Sequence, residues 1–214
     1  MENEYIASLR KEYTLSSLEL QDFPDDPVLA FRHWFDFAVA EQVSEANAMV
    51  LATSDSVGQP HARVVLMKDI TRDGIVFFTN YNSHKGQELA ENPKAALVFF
   101  WAQQERQIRI EGTVHKTDDA VNDEYFLSRP VLSQAGAIVS NQSSRIESRR
   151  ELEEAMEKVM QNAASGPLER PKNWGGYCLK PAHFEFWQGR AGRVHDRIAF
   201  DQTESGWEKY RMSP

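Results

Sequence analysis

The 214 residues contain one cysteine, Cys178. That excludes an intrachain disulfide framework and any multi-cysteine zinc or iron–sulfur cage, and it fits a reducing, cytoplasmic setting. Long apolar runs are also missing, since no stretch approaches the roughly 18 residues of a membrane span. The first residues, Met1-Glu2-Asn3-Glu4, are acidic and lead into no apolar segment, which argues against a signal peptide. Positive charge is in deficit: 24 Lys and Arg stand against 32 Asp and Glu, a formal net charge of −8. Such a chain has no global attraction for polyanions, so nucleic acid and membrane surfaces are disfavoured as partners. Any anion site has to be a local cluster of cations.

Familiar signatures are absent too. No G-x-G-x-x-G or G-x-x-x-x-G-K-[ST] loop occurs, so a phosphate would not be held by a standard nucleotide cradle. No H-E-x-x-H pair or G-x-S-x-G elbow supports a metalloprotease or an α/β-hydrolase, and no metal site is expected. Internal repeats and low-complexity segments are likewise missing.

What is present suits a packed protein, with 41% hydrophobic residues. Residues 1–25 read as a segment that stays mobile until something binds it, followed by one domain over 26–214. Asp26-Pro27 is an N-cap with proline at the first helical position, and Leu29, Phe31, Trp34, Phe35 and Ala38 then recur at helical spacing, predicting a helix that ends near Val43. The period next changes to two. Strands are expected over 48–54, 61–69 and 75–79, then 95–101 and 106–115 after a short helix from Ser83 to Asn92-Pro93. Two or three helices follow, one opening at the capping box Ser148-Arg149-Arg150-Glu151 with a solvated charged face. Strands return over 177–180, 183–188, 193–200 and 207–212. Short strands at hairpin spacing, with helices grouped between them, predict a mainly β, antiparallel barrel with flanking helices.

Several cation-bearing segments are candidate anion sites. In Arg193-Val194-His195-Asp196-Arg197, strand alternation puts Arg193, His195 and Arg197 on one face, where three potential cations repel unless an anion sits among them. The same spacing suits an exposed strand face with carboxylate partners. Arg63 and Lys68 flank the apolar Val64, Val65, Leu66 and Met67, and parity places them on opposite faces unless a bulge intervenes. Tyr125 and Arg129 share a helical face, but Pro130 interrupts the helix, so Ser133 joins them only if a second helix starts there. Ser83-His84-Lys85 and Asn141-Gln142-Ser143-Ser144-Arg145 complete the set.

These segments occur together with Arg10-Lys11-Glu12-Tyr13, Phe78-Thr79-Asn80, Glu105-Arg106-Gln107, Tyr125-Phe126-Leu127-Ser128-Arg129-Pro130 and Phe186-Trp187-Gln188-Gly189. In that order they resemble the motifs of the pyridoxamine 5'-phosphate oxidase family, from about Leu9 to Pro214. The resemblance implies an FMN-binding split β-barrel and a homodimer with flavin at the subunit interface, contacted by both chains. It implies oxidation of pyridoxamine or pyridoxine 5'-phosphate to the aldehyde, with dioxygen as acceptor and hydrogen peroxide as product. Carried onto this chain, FMN contacts fall on Arg63, Thr79, Lys85, Gln107, Gln142, Ser143, Trp187 and Arg197, with the segment from Arg63 through Val64, Val65, Leu66 and Met67 to Lys68 contributing backbone. Lys68, Tyr125, Arg129 and Ser133 would hold the substrate phosphate. Arg193 and His195 would lie against the pyridine ring as the catalytic pair, with Arg10 and Tyr13 closing over it. Two departures affect the flavin site: His84 stands where many members have arginine, and Phe78 where tyrosine is common. Other flavin or deazaflavin reductases on the same barrel, and non-catalytic binders of pyridoxal phosphate or flavin, are the competing readings. The segment from Arg193 to Arg197 speaks against the former, and peroxide formed in step with aldehyde would speak against the latter.

Overall fold

The computed structural model describes residues 5–6, 8–9 and 11–214. The described strands are β1 (Ala48–Ser54), β2 (Pro60–Leu66), β3 (Asp69–Ile70), β4 (Ile75–Asn80), β5 (Lys94–Trp101), β6 (Arg106–Lys116), β7 (Trp174–Gln188), β8 (Asp196–Thr203) and β9 (Gly206–Met212). The helices are α1 (Pro27–Ala40), α2 (His84–Glu91), α3 (Asp119–Ser128), α4 (Val131–Val139) and α5 (Arg149–Ala163). Strands hydrogen-bond in the order β2-β1-β5-β6-β7-β4-β3, with β8 on β7 and β9 on β8. The pairs β3–β4, β4–β7, β7–β8 and β8–β9 are antiparallel. This is the expected mainly β class, with three helices grouped between β6 and β7.

Contacts divide the chain into two compact units. The first comprises Met1–Met49, Leu97–Glu111 and Ala182–Pro214. In it the Asp26 carboxylate accepts from the Val28 and Leu29 amides at 2.8 and 3.3 Å, the cap that starts α1 ahead of Pro27. The helix buries Ala30, Phe31, Trp34 and Ala38, whereas Leu29 is exposed. It ends at Ala40 and not at Val43, because Gln42 turns left-handed at φ +56° and the Val43 amide folds back to the Ala38 carbonyl. Trp34, Phe23, Phe186 and Phe200 make edge-to-face contacts at 5.0–5.9 Å that centre this unit's core.

The second unit comprises Val50–Ala96 and Gly112–Pro181. Its β3–β4 turn needs Gly74, which adopts φ +142° and lies so close to β7 that a Cβ would meet the Leu179 carbonyl oxygen at 1.8 Å. Ser83 caps α2 by accepting from the Gly86 amide, and Asn92-Pro93 ends that helix. Pro130 does split α3 from α4. Gln134, buried at the start of α4, ties the junction by donating to the carbonyls of Leu127 and Arg129 at 3.3 and 2.8 Å. Ser148 caps α5, which buries no residue and carries the ion pairs Arg149–Glu153 and Arg150–Glu154, the solvated face expected of the charged run.

Three strand expectations need correction. The strand predicted over 61–69 stops at Leu66, and a separate two-residue β3 follows. The segments 177–180 and 183–188 are one strand, β7, whose early residues pair with β4 through Leu179 and whose late residues pair with β8 from His183. Pro181, lacking an N–H, falls between those two sets of pairs, where it interrupts neither. The strand expected over 193–200 begins only at Asp196, because Gly192 and Arg193 both adopt left-handed φ, +66° and +62°, in a 3-10 turn. Among the described residues no helix is long and apolar enough to cross a membrane.

Candidate functional site

The second unit contains a cavity of about 680 Å³ whose lining joins β2, β4, α2, α3 and α4. Arg63 from β2 and Lys68 just beyond it both reach this lining, with Val64, Val65 and Leu66 between them. Simple parity had set the two cations on opposite faces; the end of β2 at Leu66 removes that constraint, and Met67 turns into the core at 5% exposure. Phe78 and Thr79 come from β4, Lys85 from α2, and Gln142 from the segment after α4. Tyr125, Arg129 and Ser133 reach the cavity because α4 starts directly after Pro130. Among the described residues the lining therefore holds four cations and no carboxylate.

Hydrogen bonds order this set. Lys85 Nζ donates to Gln142 Oε1 at 2.8 Å and to the hydroxyls of Thr79 and Ser83 at 3.2 Å. Burial, reinforced by the Arg63 charge and opposed by Glu88, pushes the Lys85 ammonium down to about 8. A group in that state gains from a nearby anion. Arg63 donates to the Leu51 carbonyl at 3.1 Å, to the Thr53 hydroxyl at 2.5 Å and to Glu88 at 3.3 Å. Glu88 is 3% exposed; burial raises its pKa, but the Thr53 hydrogen bond and the charges of His61, His84 and Arg63 outweigh that and hold the carboxyl below its usual value.

Arg129 is the clearest unmet donor. Its Nη1 is buried with no hydrogen-bond partner among the described residues, its guanidinium lies 4.7 Å from the Trp174 ring centre, and burial lowers its pKa. Phe78, Tyr125 and Trp174 stack beside it, with the first pair 3.9 Å apart. This donor set of cations, hydroxyls and an amide fits a phosphate-bearing group such as FMN or a phosphorylated substrate.

The first unit holds a second recess of about 510 Å³, lined in part by Tyr13, Arg190, Arg193 and His195. The turn at Gly192 and Arg193 replaces the expected strand, yet it still brings Arg193 and His195 to one recess. Arg197 is not with them: it pairs with Glu185 at 2.9 Å and donates to the Ser213 carbonyl. The rings of Tyr13, Trp187 and His195 meet at 4.6–5.9 Å. The Arg190 amide donates to His195 Nδ1 at 3.1 Å, which makes that nitrogen an acceptor and leaves the ring proton on Nε2. Glu105, 2% exposed, accepts from the amides of Thr14 and Leu15 and so places Tyr13. Gly189 lets the Tyr13 ring approach, for a Cβ there would lie 2.6 Å from it.

The remaining expected residues are more scattered. His84 does not line the cavity; its Nε2 lies 3.7 Å from Glu88 and its ring 4.7 Å from that of His61. Gln107 is half-buried on β6, and Ser143 is exposed with φ +72°. Arg10 lies outside the described residues. Sequence reasoning missed Asn80, Ser140 and Trp174 as cavity residues. Asn80 adjoins the Phe78-Thr79 pair and was legible by proximity, whereas Trp174 is brought in by β7 pairing, which no local pattern announces.

Comparison with known proteins follows the same lines. Residues 35–163 match the family described as pyridoxamine 5'-phosphate oxidase, and residues 174–214 match the pyridoxine 5'-phosphate oxidase C-terminal dimerisation region. Proteins named pyridoxine/pyridoxamine 5'-phosphate oxidase from Leptospira interrogans and from a Nostoc species are each 50% identical over 210 residues, 98% of either chain. The crystal structure of PhzG from Burkholderia lata, in complex with tetrahydrophenazine-1-carboxylic acid, superposes with a TM-score of 0.89 at 28% identity, covering 95% of this chain and all of that one. The fold is thus of the split-barrel class, and the chain belongs to the pyridoxamine 5'-phosphate oxidase family.

Proposed function

We propose that the chain is an FMN-dependent oxidase that converts pyridoxamine 5'-phosphate, pyridoxine 5'-phosphate or both to pyridoxal 5'-phosphate. Dioxygen is the electron acceptor and hydrogen peroxide the product. The observation that carries this reading is the cavity lined, among the described residues, by Arg63, Lys68, Lys85 and Arg129 and by no carboxylate, in a chain of net charge −8. Relatives named for this activity at 50% identity support it.

When bound, FMN would supply the two-electron redox chemistry that links the substrate's C4' carbon to dioxygen. Arg63, Thr79, Lys85 and Gln142 are assigned to the cofactor, together with Gln107, Ser143, Trp187 and Arg197. Lys68, Tyr125, Arg129 and Ser133 hold the substrate phosphate, which positions a carbon remote from it. Arg193 and His195 orient the pyridine ring, His195 as a hydrogen-bond donor through Nε2. Tyr13 and Arg10 cover the ring and limit water. The active unit is a homodimer in which both chains contact flavin, and the setting is cytoplasmic.

The test is aerobic turnover of each vitamer by purified protein, following aldehyde and peroxide together. The reading requires yellow protein with releasable FMN and one peroxide per aldehyde. Bound vitamer without turnover would establish a carrier instead, and aldehyde without peroxide would establish a reductase-type enzyme using another acceptor.

A further inference from the structure

Away from the cavity lining, β2 and α2 bring together three side chains with metal-ligating atoms. His84 and Glu88 lie one turn apart on α2, and His61 projects from β2 on the same alternation as Arg63. His61 Nδ1 is 2.5 Å from Glu88 Oε1, His84 Nε2 is 3.7 Å from that oxygen, and the three atoms all lie within 4.8 Å of one another. We propose that His61, His84 and Glu88 form a binding site for a divalent transition-metal cation of the zinc class.

The ligand set is two imidazoles and one carboxylate, the borderline donors that suit zinc, nickel and copper over magnesium or calcium. Donors around a tetrahedral zinc with bonds of about 2.0–2.2 Å stand roughly 3.3 Å apart. The observed separations bracket that value, so small side-chain rotations place a cation among them. Glu88 is prepared for the role, because its Oε2 is already taken by the Thr53 hydroxyl and by Arg63 while Oε1 is left over. Such outer hydrogen bonds orient a ligating carboxylate.

A second observation points to a missing ligand. His61 Nδ1 and Glu88 Oε1 are buried and lie within ion-pair distance of each other, yet neither atom has a hydrogen-bond partner among the described residues. Buried polar atoms in that state are uncommon. A cation between them satisfies both at once. His84, 59% exposed, provides the entry side and leaves a fourth position for water. The nearby Arg63 guanidinium opposes a cation, which argues for a site filled when zinc is abundant over one that holds metal permanently.

The experiment uses the flavin-loaded protein, stripped with a chelator and titrated with Zn2+ by calorimetry near neutral pH. One equivalent per chain is expected, weakened at least about tenfold in both His61→Gln and His84→Gln and unchanged in His33→Gln. Electron paramagnetic resonance of the Cu2+ form should show two imidazole nitrogens in the wild type and one in either variant, with circular dichroism confirming that each is folded. Absence of a saturable one-equivalent site would overturn the proposal. So would Zn2+ binding or a copper spectrum that neither variant changes, or binding that depends on His33.

Discussion

Lys85 shows how a single residue can report on the cavity. Its ammonium is pushed down to about 8 by burial and by Arg63, so near neutral pH it is still charged but held at a cost. An anion bound beside it raises that value again. Below pH 8 the lysine is charged with or without ligand, and affinity is at its full value. Above it, binding must take up a proton, so FMN affinity should fall by up to about tenfold per pH unit until the pH passes the raised, bound-state value. Titrating apoprotein with FMN from pH 7 to 10 checks this, and Lys85→Arg should flatten the curve. A wild-type curve without slope would mean that no anion sits against Lys85. His84, which stands where many members have arginine, lies beside Glu88 and His61 and off the cavity lining, so Lys85 is the residue set against a bound anion there. In the first unit, Arg193→Ala and His195→Ala should each lower kcat about 100-fold with smaller effects on KM if, as proposed, they orient the pyridine ring and with it the reacting C4' carbon. Steady-state rates with either vitamer decide it; a change confined to KM would reduce both residues to binding groups.

At the scale of elements, turns and strand ends decide which residues meet. Gly74→Ala sets a Cβ 1.8 Å from the Leu179 carbonyl, so the β3–β4 turn or its pairing with β7 has to move. The expected loss is about 1–3 kcal/mol in urea unfolding, whereas Gly166→Ala, with open space around it, should be near neutral. Similar losses for both would show that the close approach is not maintained in solution. The elements also show what a sequence can and cannot reveal. The Asp26-Pro27 start of α1, the Ser83 and Ser148 caps and the break at Pro130 were legible because local chemistry sets them. The turn at Gly192 and Arg193 was not, since arginine seldom adopts φ +62° and alternation reads straight through it. The continuity of β7 across Pro181 was hidden for a different reason: it depends on which strands pair with each half. Motif order identified the cavity's cations, but their convergence needed the early end of β2 and the α3–α4 break.

At the scale of the whole molecule, a chain with net charge −8 gathers four cations, among the described residues, around one cavity, so its attraction for an anion there is local and not a property of its overall field. The match of residues 174–214 to a dimerisation region leads to the expectation of a dimer in solution. If both chains contact FMN, dilution should weaken flavin binding as subunits separate. Sedimentation with absorbance detection of the flavin should show colour travelling with the dimer, and a fully active, flavin-loaded monomer would refute the shared site. The central claim is that this cavity selects a phosphorylated vitamer for oxidation through Arg129, whose buried Nη1 lacks a partner among the described residues. The direct measurement compares kcat/KM for pyridoxamine 5'-phosphate with that for pyridoxamine, in wild type and in Arg129→Ala. A charge-assisted hydrogen bond of about 1.5–3 kcal/mol predicts a loss of about 10- to 150-fold for the phosphorylated substrate and little change for the other. Equal losses on both substrates, or no preference for the phosphate in the wild type, would contradict the account.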